Sequence, residues 1–408
     1  MNTHAPVDSG RLVQPGSVLL FATMMLGHFA QGLTFTAFAP ALPQLAQYFG
    51  DGSQGELVAQ LTLTISALGM MVGALASGWI VDRLGYRIVL LGALLCYGVL
   101  GSGGLVLQSA TALLASRFGV GFAGACLVTT CVSLIAAQYE GHRRARVLGV
   151  SGAMASGISL LAMLIGGSLA RYGGWRLPFI QFPIFAVAGL LLVLGAPRLP
   201  PLHRGRESVP AGEGFFNRLW PMYILAAVLA AVMFMGSTQF SFMLVQDGVN
   251  DPALRSVIMS TITLVAVLVS LVYGSIQGRL GLLGAMVLGM LTMSAALLVI
   301  DLTSSPLLAA GAAVLMGIFV GITLPFMHHF VTEHASLEER SRAIGVLNAF
   351  NFLGGFANPL VFVPLARIFG LRAVFLMAAG LMLAIGVGVL GWLLTRRDRP
   401  ALRSDARS

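Results

Sequence analysis

Long apolar runs alternate with short polar stretches along this chain, and most of its ionisable side chains fall in the polar stretches. A helix needs roughly 20 apolar residues to cross the hydrocarbon of a bilayer. The pattern predicts twelve such spans, at about 17–39, 57–81, 88–107, 111–138, 146–170, 176–196, 218–245, 254–277, 282–302, 305–330, 342–366 and 372–395. Backbone groups in lipid must be satisfied internally, which leaves helices or closed barrels, and these runs are too long and too uniformly apolar for barrel strands. Most connections are short, so consecutive helices should lie side by side and antiparallel. The exception is Pro197 to Asn217, rich in Pro, Gly and Arg, which reads as a linker between spans six and seven. The predicted organisation is a six-helix bundle over 1–196, a cytoplasmic linker over 197–217 and a second six-helix bundle over 218–408.

The two halves repeat one another at a fixed offset of 196 residues. Arg144-Ala145-Arg146-Val147-Leu148-Gly149-Val150 returns as Arg340-Ser341-Arg342-Ala343-Ile344-Gly345-Val346. Ala170-Arg171, Gly174, Arg176 and Phe179 return as Ala366-Arg367, Gly370, Arg372 and Phe375. Gly78, Ile80, Arg83-Leu84 and Gly85 return as Gly274, Ile276, Arg279-Leu280 and Gly281, and Asp51-Gly52 as Asp247-Gly248. Paired halves in a very apolar chain are how many transporters build a site that can open to either side of a membrane.

Composition sharpens the picture. The 408 residues are 57% hydrophobic and 10% charged, with a mean hydropathy of +0.89. A soluble domain carries about 25% charged residues. The net charge of +9 invites a nucleic-acid reading, but the distribution argues against one. All 24 basic residues are Arg; with the N-terminus inside, eighteen fall on the cytoplasmic side, five outside (171, 176, 255, 367 and 372), and Arg117 lies within span four. The asymmetry predicts both termini inside, so the basic excess reads as topology, with some contact to anionic lipid. Cys96, Cys126 and Cys131 lie within spans and suggest buried packing rather than a disulfide or a metal site. The polar first sixteen residues run into a long span without a convincing cleavage site, so no removable signal peptide is expected.

After span two the chain reads Gly78-Trp79-Ile80-Val81-Asp82-Arg83-Leu84-Gly85-Tyr86-Arg87. This resembles the G-x-x-x-D-R-x-G-x-R motif of the major facilitator superfamily, in its expected place between the second and third of twelve helices. Arg117-Phe118-Gly119-Val120-Gly121-Phe122-Ala123-Gly124-Ala125 in span four is similar to that family's R-x-x-x-G-x-x-x-A motif, and Gly174-Trp175-Arg176 with Phe179 resembles the common opening of its sixth helix. The resemblance covers the whole chain. It implies two pseudo-symmetric six-helix bundles, an aqueous cavity lined mostly by helices 1, 4, 7 and 10, and alternating access. It also implies that Gly78, Asp82, Arg83, Gly85 and Arg87 form a conformational lock, with Asp82 facing the start of span eleven near Ser341-Arg342-Ala343. Free N–H groups and the helix dipole attract a carboxylate there, by about 0.3–1 kcal/mol when exposed and up to about 2 when partly buried. Arg83 and Arg87 would pair with acids such as Glu338 or Glu339, or simply set topology from a solvated turn. One departure is clear: the paired glycines of the family's drug–proton antiporters are present as Gly166-Gly167, but Ala162-Met163 replace the Gly-Pro before them.

The candidate chemistry is sparse. A cation inside a span is costly and marks function or a specific partner, so Arg117 either bonds backbone carbonyls of span one or meets an anionic substrate or a proton path. His28 and Gln31 share one face of span one; His28 is a proton acceptor near neutral pH or a packing residue. His328, His329, Glu333 and His334 end span ten, where His329 and Glu333 share a face and a His–carboxylate pair could shuttle protons, although a wet interfacial cluster is the simpler reading. Uncharged polar and aromatic residues, namely Phe35, Thr129, Gln239, Phe242, Thr323, Phe326, Asn348 and Asn351, are the expected cavity lining. Gln239, Asn348 and Asn351 join His28, Gln31 and Arg117 as substrate or proton-path candidates. No acid lies deep in a span, which tilts the expected solute toward neutral or anionic.

These features predict a secondary transporter of a small organic solute, coupled to protons, in a bacterial inner membrane. Efflux is favoured over uptake of an organic anion or metabolite. The expected partners are the solute, protons and the lipid bilayer, with no nucleic acid, no cofactor and no metal, and the protein is expected to be a monomer. Other classes are a non-transporting membrane sensor and a polytopic membrane enzyme, but no catalytic constellation is evident. No nucleotide-binding loop of the Gly-x-x-x-x-Gly-Lys type is present.

Overall fold

The structure is a computed structural model and describes residues 15–50, 52–196, 215–302, 305–336 and 339–397. Residues 197–214, which include His203, and also Asp51 and Glu338 lie outside the described residues. The described residues are helical and contain no strand. Helix α1 is Pro15–Thr36, α2 Ser53–Leu84, α3 Tyr86–Gly101, α4 Ala110–Gln138, α5 Gly141–Gly173 and α6 Gln181–Gly195. The second set is α7 Phe215–Phe234, α8 252–280, α9 282–302, α10 Pro306–His334, α11 Arg340–Phe369 and α12 Leu371–Arg397. Among the described residues these form ten continuous apolar spans, two of them made of helices joined end to end, α5 with α6 and α8 with α9. The architecture is therefore the expected one: an all-α membrane protein of twelve transmembrane helices in two six-helix bundles.

Several helices run past their predicted ends. α2 begins at Ser53 and α5 at Gly141, because a helix continues through polar residues at a membrane surface beyond the end of its apolar run. Two helices break instead. α1 ends at Thr36 and the chain resumes as a short helix over Leu42–Phe49. α7 ends at Phe234 and resumes over Gln239–Gln246 after four residues of turn. Phe38 in the first break and Phe234, the last residue of α7, are one repeat apart. Broken spans are tolerated where the freed backbone groups face protein or a cavity rather than lipid.

The repeat is visible in the backbone. Gly52, Gly85 and Gly174 have φ of 66°, 82° and 65°, and their partners Gly248, Gly281 and Gly370 have 85°, 75° and 87°. Only glycine takes these left-handed values without strain, so turns at equivalent places demand it. Arg176 Nη1 donates to Gly104 O at 3.1 Å, and its repeat partner Arg372 Nη1 reaches Ile300 O, the repeat partner of Gly104, at 3.4 Å. The apolar interior likewise falls into two clusters, one running from Met24 to Val193 with Phe242, the other from Leu219 to Met382 with Ala39 and Met163.

Candidate functional site

The bundles meet along a seam formed chiefly by α2 against α11 and α5 against α8. We call the side where α6 ends and α7 begins the linker face, and the opposite side the far face. On α1, His28, Gln31, Gly32 and Phe35 share one side of the helix and look toward this seam. Gly32 packs on Ser159 and Ala155 O of α5, where a side chain would collide. Phe35 meets Phe234 of α7 edge-on, with ring centroids 5.5 Å apart. His28 and Gln31 are half-buried, and His28 Nδ1 has no hydrogen-bond partner among the described residues. Asn348 and Asn351 of α11 are also half-buried.

The far face is closed by contacts between the halves. At the break in α7, Gln239 Nε2 donates to Gln60 Oε1 of α2 at 2.8 Å and to Asn358 Oδ1 of α11 at 3.0 Å. Asn358 Nδ2 donates to Gln239 Oε1 at 3.2 Å and to Ala231 O at 2.7 Å, and the Thr238 hydroxyl lies within reach of the same amides. Gln60, Gln239, Thr238 and Asn358 are all buried. Arg255, in the first turn of α8, is also buried and spends its guanidinium entirely on carbonyls. Its Nε and Nη2 donate to Pro40 O of the other half at 3.1 and 2.9 Å; Nη1 donates to Val249 O and Asn250 O at 3.0 and 2.9 Å. Nearby, Arg171 and Asp251 form an exposed ion pair at 3.5 Å. The glycine pair of α5 serves this closure: a side chain at Gly166 would strike Ala37 O, just past the end of α1, and one at Gly167 would strike Ser256 and Pro252 O of α8.

The linker face differs. Gly149, Gly152 and Gly157 of α5 and Gly345 of α11 have open space beside them, and Val150 and Met154 are exposed. Asp82 is exposed and makes no hydrogen bond or ion pair with α11 among the described residues. The seam is thus sealed at the far face and parted at the linker face.

Several predicted roles change. Arg83 lies over the Trp79 ring at 4.0 Å, and Arg87 donates to Leu194 O at 3.1 Å, so among the described residues neither meets the expected acid. The last carbonyls of α6 lack helical partners and take Arg87. Glu339 instead accepts from Ser336 N, closing the turn before α11. Gln239 is sealed within the seam rather than lining an open path. Phe326 and Thr323 are buried in the second bundle, and Thr129 accepts from Ser77 of α2 at 2.8 Å inside the first. His328 and His334 each bond a carbonyl four residues back, and His329 and Glu333 form no pair. Arg117 is 0% exposed and donates from Nη2 to Thr34 O of α1 at 3.2 Å. Phe182, Phe38 and Phe179 surround it with ring centres at 4.5, 4.9 and 5.7 Å. It stands inside the first bundle between α1 and α4, and its buried Nε and Nη1 have no hydrogen-bond partner among the described residues.

The sequence pattern does not single out Gln60, Asn358 or Arg255. A lone amide in an apolar run resembles packing, although a polar group at membrane depth is a functional signal. For Arg255 the unused signal was Asp251-Pro252, an N-cap and first-turn signature that opens a helix just before it; Asp251 Oδ1 accepts from Ala253 N at 3.0 Å.

The family model for the Major Facilitator Superfamily matches residues 24–281 and 250–408, which together take in almost the whole chain. The chain belongs to the major facilitator superfamily. It is similar to the multidrug resistance protein MdtG of Klebsiella pneumoniae (strain 342), with 24% identity over 371 residues covering 88% of this chain and 89% of that one. Among solved structures it resembles the nucleoside transporter NupG, with a TM-score of 0.71, 14% identity, and 93% and 99% of the two chains covered. It also resembles a bacterial homologue of the human lysosomal transporter Spinster, solved inward-facing and unoccupied, with a TM-score of 0.72, 18% identity, and 95% and 100% covered. The family and these relatives are transporters, not enzymes, and the chain is a multi-pass membrane protein.

Proposed function

We propose that this protein is a proton-coupled secondary transporter that exports a small organic solute by alternating access across a bacterial inner membrane, as a monomer with both termini cytoplasmic. The observation that carries the reading is the asymmetry of the seam, sealed at the far face by Arg255–Pro40 and the Gln60–Gln239–Asn358 bonds and parted at the linker face. A site reached from one side only is half of an alternating cycle. With the Arg excess placing the linker face in the cytoplasm, this state is open inward. The lock of Gly78, Asp82, Arg83, Gly85 and Arg87 then belongs to the opposite state, in which Asp82 meets the N-terminus of α11. His28 and Gln31, with Asn348 and Asn351, offer the solute and proton contacts. Export is supported by the similarity to a multidrug resistance protein along nearly the full length of both chains.

The test is a thermal-shift ligand screen on purified protein, followed by flux in proteoliposomes with and without a pH gradient. Flux that follows a hit and responds to the gradient supports the reading. Binding without flux would favour a sensor, and flux indifferent to the gradient would remove the proton.

A further inference from the structure

Above the sealed amides, at the far face, lies a cavity of about 200 Å³ shared by the two halves. The first half contributes Pro43, Gln47 and Glu56, the second Phe242 and Gln246. Two helix faces make it. Glu56 and Gln60 are one turn apart on α2, and Gln239, Phe242 and Gln246 lie at positions i, i+3 and i+7 on the helix after the α7 break, so each set shares a side. Gln60 and Gln239 lie one turn further in on those same sides and bond each other, so Glu56 is one turn outward of the seal. Glu56 is half-buried, and its carboxylate makes no hydrogen bond or ion pair with any described residue. Phe242, 7% exposed, supplies an aromatic wall. The first turn of α2 accommodates a carboxylate there, but that role alone requires neither the cavity nor the aromatic wall.

We propose that this cavity is an outer binding site for a small organic cation, with Glu56 as its counter-charge, Phe242 as its aromatic face and the Gln47 and Gln246 amides at its mouth. A carboxylate and an aromatic wall together select an alkylammonium over a neutral molecule of the same shape. The volume lies below the range of about 300–1,000 Å³ typical of drug-sized ligands, so the occupant is a compact ammonium group or the cationic end of a longer solute. Opening of the Gln60–Gln239 bond would join this site to the seam below. In that role the inference rests on the transport reading, since the site would hold a cation at the far side of its route. It differs from the expectation of a neutral or anionic solute, which rested on the lack of any acid deep within a span; Glu56 stands one turn outside the seal.

The experiment is isothermal titration of the purified full-length protein with choline and with 3,3-dimethylbutan-1-ol, its uncharged carbon isostere. Choline is expected to bind at least tenfold more tightly than the isostere. Glu56→Gln should lower choline affinity at least tenfold with Tm unchanged, and Phe242→Leu should lower it severalfold. Equal binding of the two probes, choline affinity unaltered by Glu56→Gln, or no choline binding at all would overturn the site. Should Glu56→Gln fold poorly, Phe242→Leu with Gln246→Leu carries the same test, and unaltered choline affinity in both would overturn it. Proteoliposome flux of a separate solute distinguishes the two readings: flux without choline binding removes the outer site and leaves the transporter, whereas Glu56-dependent binding without flux does the reverse.

Discussion

Replacing Arg255 by Met tests which contacts hold the far face shut. The substitution keeps bulk and removes the two N–H bonds to Pro40 O, at 3.1 and 2.9 Å. A hydrogen bond to a charged group is worth about 1.5–3 kcal/mol net. Both bonds share one acceptor, so we count them as one such interaction. At about 1.4 kcal/mol per factor of ten, the population open at the far face should rise about 10- to 150-fold. The bonds to Val249 O and Asn250 O lie within the second half, so their loss lowers Tm without moving the balance between states. Spin labels at Ser109 and Leu307, exposed at the far-face starts of α4 and α10, report the opening by electron–electron distance measurement. Exposed Cys96 would be replaced by Ser in this background. Asp251→Asn serves as the control: it breaks an exposed pair at 3.5 Å, worth about 0–1 kcal/mol, and should leave the distances nearly unchanged. A distance distribution in Arg255→Met that matches wild type would refute the latch.

Asp82→Asn should leave stability within about 0.5 kcal/mol of wild type, as for an exposed residue that makes no hydrogen bond or ion pair among the described residues, yet slow flux and shift cysteine-accessibility labelling toward the linker-open form. Flux should change with pH between about 5.5 and 8, where His loses its proton as pH rises, and His28→Gln should flatten that profile while exposed His334→Gln should not. Arg117→Lys and Arg117→Gln should both lower Tm, by about 1–3 kcal/mol in stability, and weaken every solute alike, measured by thermal unfolding and by flux of charged and neutral solutes. Loss confined to anionic solutes would instead make Arg117 a substrate contact.

The spans were legible because lipid leaves an apolar run of this length a single conformational choice. The offset made the pairing of turns legible as well, since Gly85 and Gly281 had to do the same work. The seam was not. Gln239 could be read as polar and central, but its partners Gln60 and Asn358 come from helices far apart in sequence, and only packing brings them together. The break in α7 was hidden for a related reason: Met235-Gly236-Ser237-Thr238 is apolar or small enough to continue a span. Arg255 was legible as a charge and not as a clamp, because the positive-inside count treats every outer arginine alike. Asp82 was found by its motif, and its open surroundings follow from which state of the seam is closed.

The offset of 196 residues has a further consequence. The halves enter from the same face, so they are parallel repeats related by an axis along the membrane normal, and exchanging them leaves each state as it was. Where the repeat fails, the two halves bring different groups to the same face. Arg255 corresponds to Ala59 in the first half, and Asp82 corresponds to Gly278 in the second. Each half thus carries one charged group that the other lacks, and the two lie at opposite faces. Changes at the two positions should move the resting poise in opposite directions and, being far apart, should combine additively. The duplicated frame sets equivalent turns in both halves, and its mismatched positions are where the two ends of the seam become chemically distinct.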